Sequence, residues 1–122
     1  NEIFFFFFDM NPAVQRFYDY YIVRAFHPRA INSNNFFCDS TTPYGFFNFN
    51  LMENIDEISP RPTLIITGEK AHSKYFADAA YAKLKSPKQE IVVPGATHTD
   101  LYDQMDKIPF DKLVAFFDES LK

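Results

Sequence analysis

Thr63-Leu64-Ile65-Ile66-Thr67-Gly68 decides the fold. Five apolar or β-branched residues run without alternation and stop at a glycine. That pattern predicts a strand covered on both faces, as in a parallel sheet. Upstream, Ser59-Pro60-Arg61-Pro62 is a rigid connector, because two prolines exclude a helix and feed an extended segment. Downstream, Glu90-Ile91-Val92-Val93 predicts a second strand, broken by Pro94-Gly95.

Between the strands, Ser73 is placed to cap a helix running to about Lys85. Tyr75, Phe76, Ala79, Ala80 and Leu84 would face inward, and Pro87 would stop the helix. A last amphipathic helix is predicted from Pro109, with Phe110, Leu113, Val114, Phe117 and Leu121. Strand, helix, strand and helix in that order imply an α/β fold with a parallel pair and a right-handed crossover. Two parallel strands alone leave both edges bare, so the chain is expected to belong to a larger sheet.

The N-terminal half reads differently. Asn11-Pro12 predicts a helix start, with Asn as cap and Pro at the first position. Val14, Phe17, Tyr18 and Tyr21 would share one face, and the helix should end before Pro28. Residues 32–42 are polar and predict a loop. Pro43 should open a second helix through Phe46, Phe47, Leu51 and Ile55. Residues 1–59 are thus a helical and loop insertion, and residues 60–122 a strand-helix-strand-helix unit of one partial domain.

The chain has 122 residues, 47% hydrophobic and 23% charged, which is a globular composition. Its net charge is −4, and its basic residues are scattered, which argues against nucleic acid as a partner. No stretch reaches the ~20 apolar residues that span a bilayer. A basic leader region is also missing at the start, so neither a membrane nor an export signal is expected. The single cysteine, Cys38, excludes an internal disulfide framework and fits a reducing, cytoplasmic compartment. Sixteen phenylalanines and no tryptophan are unusual, and five stand together at positions 4–8. Such a run reads as a buried strand and would favour aggregation if exposed.

Loops at the C-terminal ends of parallel strands are where α/β folds place their sites. Gly68–Ser73 is one such loop, and Gly95–Asp100 is the other. His98 in the second is a candidate general base. Glu69, one residue past the first strand, is the best placed carboxylate to hold it. Asp100 is two residues from His98 and is placed to cap the short helix that follows. Asp39 is a remote alternative. His72 suits a turn before a helix, and His27, in Phe-His-Pro-Arg, suits loop packing. The three histidines lack the paired spacing of metal ligands, so neither a metal nor another cofactor is expected. Cys38 lacks the helix terminus or strained turn that activates a thiol nucleophile. None of Gly45, Gly68 and Gly95 flanks a serine in a Gly-x-Ser-x-Gly elbow.

From Pro60 to Ser73, and again over Val93-Pro-Gly-Ala-Thr-His-Thr-Asp-Leu-Tyr-Asp103, the sequence resembles the C-terminal end of an α/β-hydrolase. The dienelactone-hydrolase-like branch is the most similar. Asn11-Pro-Ala-Val-Gln-Arg-Phe-Tyr-Asp-Tyr-Tyr21 also resembles the helical insertion that precedes those strands. The resemblance spans residues 9–122 and is most specific over 60–103. It implies that the two strands are the last two of the hydrolase sheet and that the final helix covers it. His98 would be the catalytic histidine and Glu69 the acid, in a Ser, acid, His order. The substrate would be a small ester or related acyl compound. Two departures stand out. Ala71 occupies the position where many relatives carry the acid, and the half holding the nucleophile elbow and oxyanion hole is absent from this chain. That half is expected on another chain or an unsequenced segment, and this chain alone should be inactive. A non-catalytic interaction protein on the same scaffold, or an acyltransferase, is the alternative.

Overall fold

A computed structural model of the chain describes residues 11–29 and 42–122. The phenylalanine run at positions 4–8, most of the polar loop at 32–42, Cys38 and Asp39 lie outside the described residues. The chain divides into two compact units, residues 1–50 and 51–122.

In the first unit, helix α1 spans Pro12–Tyr18. Asn11 caps it as expected: its Oδ1 accepts the Ala13 N–H at 2.9 Å, and Pro12 opens the first turn. The helix then widens into a π-helical segment, Asp19–Arg24, where the Ala25 N–H reaches back five residues to the Tyr20 carbonyl. Arg24 and Asp19, also five apart, form an ion pair at 2.7 Å across that wider turn. Phe17 and Tyr21 stack with centroids 6.3 Å apart on the expected face. Helix α2, Thr42–Phe47, is much shorter than expected and does not reach Leu51 or Ile55. The Asn48 side chain donates to the Tyr44 carbonyl at 3.2 Å and so takes a group at the end of the helix. Asn competes with the backbone in this way, which is why it ends helices.

In the second unit, a 3₁₀ turn at Ile55–Ile58 leads into the proline connector. Arg61 Nη1 donates to the carbonyls of Glu57 and Ile58, satisfying the end of that turn. Strand β1 is Thr63–Gly68, helix α3 is Lys74–Lys83 and strand β2 is Lys88–Val93. The strands pair in parallel, in register from Thr63↔Lys88 to Gly68↔Val93. Helix α4, Asp100–Asp103, and helix α5, Phe110–Ser120, follow. The fold of this unit is α/β, as the apolar strand patterns require.

Helix α3 ends before Pro87 because Lys88 takes over its last carbonyls. Lys88 Nζ donates to Tyr81 O at 2.6 Å and Leu84 O at 2.9 Å, and it lies over the Tyr81 ring. Leu84 is buried, as expected. Tyr75 and Phe76 are not: both rings are exposed, and they pack on each other at 4.1 Å. Phe110, Val114 and Phe117 of α5, and Leu121 just past its end, are likewise 42% to 80% exposed. The expected inward faces of both helices therefore lie largely in solvent. Two strands offer too little apolar surface to cover them, and Leu64–Ile66 of β1 are themselves only half buried. What core there is gathers at Ala71, Leu84, Val93 and Ala96, with Thr67 beside them. Most of it sits at the C-terminal end of the sheet.

Candidate functional site

The two strand-end loops are laced together by backbone hydrogen bonds. The Glu69 N–H donates to Val93 O at 2.9 Å, and the Lys70 N–H to Ala96 O at 2.8 Å. Glycine is needed where the loops touch. A Cβ on Gly68 would run into the Ala96 carbonyl oxygen and would lie 2.9 Å from Thr97 O. On the other loop, Gly95 has a φ of +67°, in the left-handed region that glycine enters without cost.

Glu69 fastens this arrangement from the side. Its Oε2 accepts the Gly95 N–H at 2.7 Å. The carboxylate expected to orient His98 thus holds the backbone of the histidine loop instead. Asp100 holds the other flank. Its Oδ2 accepts from Thr97 N and from Lys107 Nζ, both at 2.9 Å, and its Oδ1 accepts from Gln104 Nε2 at 3.0 Å. Burial of Asp100, the largest single influence, works to raise its pKa. The Lys107 ammonium and the Thr97 hydrogen bonds together outweigh it and hold the carboxyl below its ordinary value. The expected cap at Asp100 is therefore a clamp over residues 97–107.

Between these fasteners stands His98, part-buried, with a hydroxyl at each ring nitrogen. Nδ1 lies 2.6 Å from Ser73 Oγ, and Nε2 lies 2.7 Å from the Tyr102 hydroxyl. Ser73 occupies the residue before α3, but its side chain makes no capping bond there. It is spent on His98. The His72 ring packs 5.0 Å from the His98 ring, and the Tyr102 ring meets it edge-on at 5.3 Å. Burial first, and the charge His72 would carry second, push the His98 pKa below the ordinary histidine value. A neutral imidazole at neutral pH is the form that can accept a proton.

The structure therefore brings together His98, His72, Ser73 and Tyr102. Glu69 and Asp100 serve the loop that carries His98. His27 lies in the other unit, where its Nδ1 accepts the Arg29 N–H at 3.2 Å and closes a turn. Among the described residues, no three His, Cys, Asp or Glu side chains gather as they would around a metal ion. No helix among them is long and apolar enough to cross a membrane. Tyr102 had a legible signal in its spacing, four residues after His98, although His98 itself stands in the turn before the helix that carries Tyr102. Ser73 had none, because its contact spans 25 residues of sequence.

A comparison with known protein families finds no match. The chain is similar to the uncharacterized protein PA2218 of Pseudomonas aeruginosa, with 53% identity over 106 residues. That alignment covers 86% of this chain and 28% of PA2218. It is also similar to the crystal structure of hypothetical protein PA2218, with a TM-score of 0.74 and 50% identity. The structural match covers 88% of this chain and 33% of that one. The chain thus spans about a third or less of the relative it matches.

Proposed function

We propose that this chain is the C-terminal portion of a serine-type α/β-hydrolase and supplies its catalytic histidine, His98. The observation that carries this reading is the position of His98. It stands on the loop after the second of two parallel strands, with both ring nitrogens hydrogen-bonded to hydroxyls. In a hydrolase, Nε2 would take the proton of a serine nucleophile attacking an ester or related acyl carbon. The same nitrogen would then return that proton to the leaving alcohol. The nucleophile and oxyanion donors would come from polypeptide beyond this stretch. The length of PA2218 leaves room for both. The small-molecule ester class, the completing half-sheet and a cytoplasmic setting belong to the same proposal.

The test uses the chain together with the polypeptide that completes its sheet. A fluorophosphonate probe should label one serine outside the present sequence, and p-nitrophenyl acetate should be turned over. His98→Ala should lower turnover by at least about 10³-fold, since the triad acts as a unit. Absence of both labelling and turnover, with His98→Ala changing nothing, would sink the reading.

One observation favours a second reading, that of a non-catalytic interaction protein on the same scaffold. Ala71, at the position where many hydrolases carry the acid, is buried and offers no carboxylate. An acyltransferase would be separated from a hydrolase by offering alcohol or amine acceptors in competition with water.

A further inference from the structure

We propose that Ser73 is the positioning residue for His98, accepting its Nδ1–H and so keeping Nε2 as the basic nitrogen. Its place as catalytic orienter rests on the hydrolase reading above; the hydrogen bond itself does not.

Ser73 gives up a helix cap to reach His98. It stands at the position before α3 where a serine normally bonds a backbone N–H. Here no such bond forms. The hydroxyl turns to Nδ1 of His98 at 2.6 Å, across a separation of 25 residues. Its backbone is held meanwhile, with the Ser73 carbonyl accepting the Phe76 N–H at 3.0 Å.

A neutral imidazole has one N–H and one lone pair, so its two partners must differ in role. The partners here are an aliphatic hydroxyl at Nδ1 and a phenol at Nε2. A phenol is much the more acidic of the two and so the better donor, while an aliphatic hydroxyl is the better acceptor. The matched arrangement is Nδ1–H donating to Ser73 Oγ and the Tyr102 O–H donating to Nε2. The opposite tautomer would pair the weaker donor and the weaker acceptor at once. Tyr102 is exposed at 45%, so a substrate or nucleophile hydroxyl can displace it and meet the same lone pair.

Among the described residues, the neighbouring titratable groups named above lie beside the ring or bond to other partners. His72 lies beside the ring rather than at either nitrogen, with centroids 5.0 Å apart. Asp100 is engaged with Lys107, Gln104 and the Thr97 N–H. Glu69 is engaged with the Gly95 N–H. A neutral hydroxyl fixes the tautomer but gives the imidazolium less stabilisation than a carboxylate would.

Long-range ¹H–¹⁵N correlation NMR of the imidazole rings tests the proposal directly, with His98 assigned by the loss of its signals in His98→Gln. The wild-type chain above pH 7 should show the Nδ1–H tautomer at His98. Ser73→Ala should move the tautomer ratio toward Nε2–H by about fivefold, the equilibrium effect of one ordinary hydrogen bond. Ser73→Thr, which restores the hydroxyl, should return the ratio toward wild type. An Nε2–H tautomer in the wild type overturns the proposal, and so does an unchanged ratio in a folded Ser73→Ala. If Ser73→Ala fails to fold, the wild-type and Ser73→Thr spectra still decide. Serine labelling and turnover report on the hydrolase reading separately. An Nδ1–H tautomer without labelling removes the enzyme and leaves the hydrogen bond. Labelling with an Nε2–H tautomer keeps the enzyme and removes Ser73 from its site.

Discussion

The strand-end loops and the C-terminal helix α5 belong to the same unit but are held by different means. The loops carry two of the small buried residues, Ala71 and Ala96, but what ties them together is mainly directional hydrogen bonding. Gly68 meets the Ala96 backbone, Glu69 takes the Gly95 N–H, and Asp100 takes Thr97, Gln104 and Lys107. Helix α5 is the reverse. It is clearly amphipathic, but Phe110, Val114, Phe117 and Leu121 remain exposed. Directional bonds among close neighbours can be completed within a short stretch of chain. Apolar burial needs area, and two strands supply too little.

The largest test of this contrast is Gly68→Ala. Its Cβ would strike backbone atoms, which cannot swing aside as a flexible side chain can. A loss of about 2–3 kcal/mol is expected, read from the urea midpoint. Gly45→Ala is the matched control, because nothing lies within 4 Å of its Cβ position. There, in α2, alanine should stabilise by about 0.5–1 kcal/mol. Equal effects at the two glycines would show that the loops are not in close contact.

Asp100→Asn comes next. It removes the charge from the Lys107 bridge and weakens the bond to the Thr97 N–H. A loss of about 1–2 kcal/mol is expected, with faster amide exchange confined to residues 97–107. Exchange rising evenly across both strands would show that Asp100 supports the unit as a whole rather than clamping this loop.

A smaller effect is expected from His98 with pH. Burial and the charge of His72 hold its folded pKa below the unfolded value of about 6.5. Between those two values the unfolded chain binds more protons than the native one. Stability present above pH ~6.5 should therefore fall as the solution is acidified through the folded pKa. Thermal unfolding of the wild type and His98→Gln between pH 7.5 and 5 measures this. The variant should show the shallower decline, and a steeper one would reverse the assigned direction.

The smallest effect is expected on α5. Phe117→Gln should change the stability of this chain by less than about 0.5 kcal/mol, because the ring packs little here. In material that contains the completing polypeptide, the same substitution should cost several times more if this face is covered there. A large loss in the chain alone would erase the contrast between loops and helix.

Much of this architecture was legible from local patterns. The unbroken apolar run at 63–67 and the one at 90–93 appear as neighbouring parallel strands. Asn11-Pro12 appears as a capped helix start. These features depend on backbone preference and near neighbours, so sequence carries them directly. Helix α2 was read too long because hydrophobic residues at 51 and 55 continued a pattern that Asn48 interrupts by bonding Tyr44 O. Tyr75, Phe76 and the α5 stripe were read as inward because periodicity identifies an apolar face but not what covers it.

The site divides along the same line. Sequence alone determined that a histidine follows the second strand and that glycines close both strand-end turns. Only the tertiary structure decided which groups reach the imidazole. Glu69 is nearer the first strand and carries the charge, yet it is drawn to the Gly95 N–H, while Ser73 leaves its helix to meet Nδ1. The reason is physical. A side chain chooses its partner by direction over about 3 Å, and that choice depends on how two loops 25 residues apart are laced together.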